Sequence, residues 1–128
     1  MNPDLAAKAA AAREGAHARY SGFKVGAALD TRDGRVFTGC NIESASYGFS
    51  VCAERVALWK ALSEGAQDFR EIAIVTDAEI LTPPCGGCRQ LLWEYCGDIN
   101  VQLRSTKGLT AEYRLSDLLP VPFDSRNL

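Results

Sequence analysis

With 128 residues and 47% apolar side chains, the chain has the length and apolar content for one domain with a single core over residues 1–128. A formal charge of −2 argues against a dedicated nucleic-acid or acidic-membrane binder, so the expected partner is a small molecule. Asp4, Lys8, Arg13 and Glu14 interrupt the alanine-rich start, and no stretch approaches the roughly 20 apolar residues that span a bilayer, so the expected location is a reducing cytoplasm.

Residues 3–19, rich in Ala, Lys, Arg and Glu with Pro3 near the start, predict a helix that carries the one histidine, His17, as a packing or surface residue. Small apolar side chains from Val25 to Thr31, the Asp33-Gly34 pair and Val36-Phe37-Thr38 predict a hairpin whose glycine supplies positive φ. The stretch from Cys40 to Ser50 is polar and irregular and predicts a loop. Cys52 to Glu64 predicts a helix closed at Gly65, and the β-branched run from Arg70 to Thr76 predicts a buried strand. Pro83-Pro84 blocks helix entry from the left, and Cys88 to Tyr95 predicts a helix continuing from the cysteine loop. Strands are expected at 99–104 and 110–115 around Lys107-Gly108, then a helical turn at 116–119, capped by Ser116 and ended by Pro120. This order implies an α/β protein: an antiparallel opening hairpin, some parallel pairing, and a mixed sheet of about five strands sandwiched between helices.

Five cysteines, an odd number, read in a reducing compartment as metal ligands or core residues more readily than as disulfides. Cys85 and Cys88 are three apart across Gly86-Gly87, so both sulfurs reach one ion from a single turn. Cys52 supplies a third ligand if the two helices lie side by side with their first turns together. Three ligands leave zinc one short of four, the mark of a catalytic site whose bound water is acidified. Glu54, two residues from Cys52, is placed to move that water's protons. The thiols fall at helix starts, where free amides and the helix dipole favour negative charge. Three thiolates still leave zinc with net negative charge, and Arg55 and Arg89 are the candidates to donate hydrogen bonds to the sulfurs.

Each residue also has a plainer reading. Cys-x-x-Cys alone also reads as a redox-active pair, and Glu54 alone as an ordinary first-turn acid. Their conjunction with Cys52 favours zinc. The serious rival is a structural four-cysteine site completed by Cys40 or Cys96. Cys96 sits two turns along its helix from Cys88 and should point away, whereas spacing leaves Cys40 open.

Four segments carry a resemblance: Tyr20-Ser21-Gly22-Phe23-Lys24-Val25-Gly26-Ala27-Ala28-Leu29, Gly39-Cys40-Asn41-Ile42-Glu43, Cys52-Ala53-Glu54-Arg55 and Pro84-Cys85-Gly86-Gly87-Cys88-Arg89-Gln90. From about Tyr20 to Leu119 the chain resembles, in order and spacing, the small homotetrameric cytidine deaminases, and Cys-x-Glu followed by Pro-Cys-x-x-Cys is a known zinc deaminase signature. The resemblance implies a three-layer α-β-α sandwich, one Zn2+ per subunit, and hydrolytic conversion of cytidine and 2′-deoxycytidine to uridine and 2′-deoxyuridine with release of ammonia. It also implies that Cys52, Cys85 and Cys88 hold zinc, Glu54 shuttles protons and Arg55 tempers the thiolate charge. By the same resemblance Phe23 stacks on the pyrimidine, Asn41 and Glu43 bond the ribose, the Ala53 amide meets the ring carbonyl, and the Pro83 carbonyl accepts from the amine. Ala45, Tyr47 and Phe123 match positions contributed by neighbouring subunits, which implies a homotetramer.

Two departures stand out. Pro83 replaces the family's common Ser or Thr, losing a hydroxyl and an N–H but keeping the carbonyl. Gly48-Phe49-Ser50 replaces the usual Pro-Leu-Gly form, which bears on substrate fit. Competing readings are a deaminase of a modified cytosine nucleoside or blasticidin-like aminopyrimidine, and a non-enzymatic zinc-stabilised interaction module with four protein ligands. A polynucleotide-editing domain is disfavoured by the acidic balance and the lack of a basic aromatic groove.

Overall fold

The computed structural model describes residues 2–128. Helix α1, Pro3–Arg13, starts where the Asn2 side chain accepts from the Asp4 and Leu5 amides at 3.0 and 3.4 Å, with Pro3 in the first turn, where its missing N–H costs nothing. It ends well short of the predicted residue 19. The His17 amide donates to the Asn41 carbonyl and the Glu43 amide to the His17 carbonyl, both at 2.9 Å. His17 therefore lies exposed in a backbone bridge with Ile42 and not on a helix: tertiary pairing overrides local propensity.

Strands β1 (Gly26–Thr31) and β2 (Val36–Cys40) form the expected hairpin, with Gly34 at φ +94° in its turn. After a 3-10 turn at Tyr47–Phe49, inside the predicted loop, come α2 (Ala53–Ser63), β3 (Phe69–Thr76), α3 (Gly86–Cys96), β4 (Asn100–Ser105), β5 (Thr110–Arg114) and α4 (Leu115–Leu118). The sheet order is β2-β1-β3-β4-β5, with β3 and β4 parallel and the other neighbours antiparallel. Ser116 does not cap α4. Its amide and hydroxyl donate to the Asp98 carboxylate, while Asp117 accepts from the Arg114 amide at the N-cap.

The two faces of the sheet pack differently. On one, Leu29, Ile72, Ile74, Val101 and Leu103 meet Leu58 of α2 and Leu92 of α3; on the other, Ala28, Ala73 and Val75 meet Leu5, Ala6 and Ala9 of α1. Helices on both faces make three layers. Backbone approach at two glycines sets the spacing. A Cβ at Gly26 would sit 2.0 Å from the Ala9 carbonyl oxygen, and one at Gly39 would sit 2.3 Å from that of Ala53. Gly39 pairs with Ala27, which pairs with Ile74 near the end of β3. The start of α2 and the segment leading to α3 thus fall at the same end of the strands. Among the described residues no helix is long and apolar enough to cross a membrane.

Candidate active site

Cys52 and Cys85 are the N-cap residues of α2 and α3, and Cys88 lies in the first turn of α3. Neither N-cap side chain caps its own helix, so the sulfurs are free to converge, and the three Sγ atoms lie within 4.8 Å of one another. Tetrahedral Zn–S bonds of about 2.3 Å put sulfurs roughly 3.8 Å apart, a spacing compatible with that limit. The donor set fits zinc. Among the described residues this is the one such group, and it includes neither Cys40 nor Cys96. The four-cysteine alternative therefore has no fourth sulfur. Cys96 is half-buried, and burial pushes its thiol up to about 12.

Hydrogen bonds from Cys88 and then Cys85, with the Arg55 charge, hold Cys52 down at about 6, against the opposing effect of burial. The Cys88 thiol is pushed up, chiefly by its bond to Cys52 and then by burial. Burial opposes the Arg55 charge, but the neighbouring thiols, Cys88 foremost, raise its pKa above the ordinary arginine range. Its guanidinium lies against the bare face of Gly87, where a Cβ would be 2.6 Å from Nη2, and its buried Nε has no partner. Arg89 takes a different place from the one expected. Its Nε and Nη1 donate to the Pro84 and Leu118 carbonyls, each at 2.7 Å, so it fastens the cysteine loop to α4 instead of facing the sulfurs.

Glu54 is 5% exposed, and burial, reinforced by Cys52, lifts its carboxyl to about 7. It lines a pocket of about 310 Å³ together with Cys52, Cys85, Phe23, Asn41, Glu43, Ala53 and Pro83. Residues separated by up to 62 positions in sequence thus meet in one space. The Ala53 amide is the first of α2, one of those a helix leaves without an internal acceptor.

Asn41 and Glu43 also organise the chain itself. Asn41 Oδ1 accepts from the Val25 amide and its Nδ2 donates to the Phe23 carbonyl, both at 2.8 Å. Glu43 Oε1 accepts from the Tyr20 and Ser21 amides at 3.0 Å. The Ser21 hydroxyl and, at 3.5 Å, Asn41 Nδ2 donate to Oε2. These bonds, led by the Ser21 hydroxyl, hold the Glu43 carboxyl below its usual range.

Ala45, Tyr47 and Phe123 do not line this pocket. Ala45 is exposed. Tyr47, 77% exposed, meets Tyr20 edge-on at 6.4 Å and borders an adjoining cleft that shares Glu43 and Ser50 with the pocket. Phe123 is exposed, its carbonyl accepting from Gln90 Nε2 at 2.7 Å. Of the departing loop, Ser50 reaches the pocket while Phe49 is 79% exposed. Sequence reading missed the walls formed by Val25, Val51, Ile74 and Thr82. Val25 and Ile74 read only as strand positions, and no local signal marks them as facing a ligand.

The family model described as "Cytidine and deoxycytidylate deaminase zinc-binding region" matches residues 1–102. A cytidine deaminase of Halalkalibacterium halodurans is 49% identical over 125 residues, covering 97% of this chain and 95% of that one. The crystal structure of a cytidine deaminase from Burkholderia pseudomallei superposes with a TM-score of 0.93 at 46% identity, over 96% of this chain and 99% of that one. A blasticidin-S deaminase of Bacillus cereus is 33% identical over 107 residues, covering 77% of this chain and 76% of its own length.

Proposed function

The chain belongs to the cytidine and deoxycytidylate deaminase zinc-binding family, and on that premise we propose that residues 1–128 form one domain that hydrolytically deaminates cytidine and 2′-deoxycytidine in pyrimidine salvage. The observation that carries the reading is the meeting of Glu54, two of the three clustered thiols and the Asn41–Glu43 pair in one pocket.

Cys52, Cys85 and Cys88 would hold Zn2+, one per subunit, and zinc supplies the Lewis acidity that makes a water nucleophilic near neutral pH. Arg55 sets its charge against the thiolates, which limits how much negative charge the site accumulates. Glu54, with a pKa raised toward neutrality, is matched to both halves of a proton transfer. Its carboxylate takes the proton of the attacking water and delivers it to the ring nitrogen beside the amine-bearing carbon. The second proton, from the hydroxyl the water has become on the ring carbon, passes through the same carboxylate to the amine; the carbon–nitrogen bond breaks, the hydroxyl oxygen becomes the ring carbonyl, and ammonia leaves.

The other residues orient the substrate. Phe23 offers a ring face to the pyrimidine, the Ala53 amide donates to the ring carbonyl and the Pro83 carbonyl accepts from the amine. Asn41 and Glu43 take the ribose hydroxyls, and the long 3.5 Å bond between them is the one a hydroxyl would displace. Ala45, Tyr47 and Phe123, all exposed, would serve neighbouring pockets in a cytoplasmic homotetramer.

An ultraviolet assay on cytidine, deoxycytidine and free cytosine, with zinc determined on the same sample, tests the reading. Turnover of both nucleosides well above the free base, at one zinc per chain, is expected. No turnover of either nucleoside by fully zinc-loaded protein would contradict it. The likeness to a blasticidin-S deaminase motivates a second reading, an aminopyrimidine antibiotic as substrate. The same assay with blasticidin S separates the two, and the sugar-facing pair Asn41 and Glu43 favours the nucleoside.

A further inference from the structure

One guanidinium outside the pocket ties together two of the segments that wall it. Arg13 ends α1, and its backbone lies on the bare face of Gly26, where a Cβ would be 2.6 Å from the Arg13 amide nitrogen. From that fixed base its side chain, 12% exposed, reaches two other parts of the chain. Nε donates to the Lys24 carbonyl at 3.1 Å, and Nη2 meets the Asp77 carboxylate at 3.0 Å. Nη1 donates to the exposed Glu14 at 3.3 Å.

Both acceptors adjoin pocket wall. Lys24 lies between Phe23 and Val25, and Asp77 opens the segment 77–85 that brings Thr82, Pro83 and Cys85. Asn41 holds the first wall through the Phe23 carbonyl and the Val25 amide, and Arg13 takes the carbonyl between them. The second wall is fastened on either side of Asp77: the Thr106 amide donates to the Thr76 carbonyl at 2.8 Å, and Ser105 Oγ to the Ala78 carbonyl at 3.1 Å. Asp77 is thus a fixed post, and Arg13 transmits its position to Lys24.

The value of this link is in its direction. The Asp77 side chain is half exposed, and an ion pair that open to water contributes little to stability. A guanidinium, however, is planar and presents its donors at fixed angles, which an ammonium does not. Two acceptors held by one fork therefore keep a fixed separation. Arg13, Lys24 and Asp77 line no part of the pocket, so the fork acts on a ligand only through the walls.

Building on the deaminase reading above, we infer that Arg13 is a positioning residue for the nucleoside. By holding the Lys24 carbonyl and the Asp77 carboxylate together, it fixes the spacing between the Phe23–Val25 wall and the Thr82–Cys85 wall. The thiols and Glu54 are placed by the starts of α2 and α3, so loosening the fork costs binding before it costs chemistry.

The test is the KM and kcat for cytidine on zinc-loaded parent, R13K, R13Q, D77N and the R13Q/D77N double variant, with zinc content and thermal unfolding alongside. R13Q should raise KM roughly fivefold to tenfold, the size of one lost hydrogen bond. Its kcat and zinc content should stay near the parent, as when binding is lost equally from ground and transition states. R13K should fall between parent and R13Q, and D77N should raise KM by a smaller factor. Because R13Q already breaks the link, the double variant should match R13Q alone. A parent-like KM in R13Q overturns the inference, even with a lowered unfolding temperature, which would make Arg13 only a structural prop. So do a fall in kcat or zinc content as large as the rise in KM, additive effects in the double variant, and a parent-like R13K, which would credit charge and not the fork. If R13Q fails to fold, D77N decides, and a parent-like KM there overturns the inference. A parent chain inactive on cytidine overturns the deaminase reading and this inference together; an active parent with an unaffected R13Q overturns this inference alone.

Discussion

At the thiol end Cys88 is 1% and Glu54 5% exposed, with Cys52 half-buried and Cys85 exposed, whereas at the far end of the pocket Phe23 is 37% exposed and Tyr47, beside the adjoining cleft, 77%. The thiol end is assembled from two helix starts of one chain. The far end is loop, held by Asn41 and Glu43 and open to solvent. Glu54 and Cys88 are thus shielded from solvent, while the residues proposed to orient substrate sit where a second surface has room to close over them. The two ends should respond differently to substitution: chemistry and metal charge at the first, substrate affinity at the second.

The largest effect is expected from Glu54→Gln, which removes the proton carrier and keeps the shape. Turnover should fall by roughly 10²–10⁴ with zinc content unchanged, as checked by steady-state kinetics and metal analysis. The same substitution has a pH signature in metal-free protein. Burial lifts the Glu54 carboxyl from an ordinary 4.5 to about 7, so between those values the folded chain keeps a proton that the unfolded chain releases. The Glu54 contribution to stability therefore declines as pH rises through that window, by up to about 3 kcal/mol. Metal-free Glu54→Gln should lack that decline in denaturant titrations. A parallel decline in parent and variant would assign it to another group.

Next in size is Arg55→Gln, which leaves the thiolate charge without its neighbouring cation. A loss of roughly 10–100-fold in activity or zinc affinity is expected, with a smaller effect on thermal unfolding. Glu43→Gln should act at the far end, raising the nucleoside KM roughly fivefold to tenfold with little change in kcat. A fall in kcat as large as that of Arg55→Gln would erase the distinction between the two ends.

How legible these regions were in sequence follows the same division. Cys52, Glu54, Cys85 and Cys88 announce themselves because metal chemistry demands particular atoms at particular spacing, and the glycine-marked hairpin and β-branched strands are local signals too. The end of α1 was not legible, since it is set by His17 pairing with residues 41–43, a contact no window around residue 17 contains. Arg89 was misplaced for a similar reason: its partner Leu118 lies on a turn whose position depends on the whole sheet. The walls at Val25, Ile74 and Thr82 look like any strand or loop residue until the end of β3 and the start of α2 come together.

The central claim is that three thiols, and no fourth protein sulfur, hold a zinc that keeps a position for water beside Glu54. X-ray absorption at the zinc edge on the fully loaded parent chain measures this directly. Three sulfur ligands and one oxygen or nitrogen ligand are predicted. Four sulfur ligands would contradict the account and restore the structural zinc module.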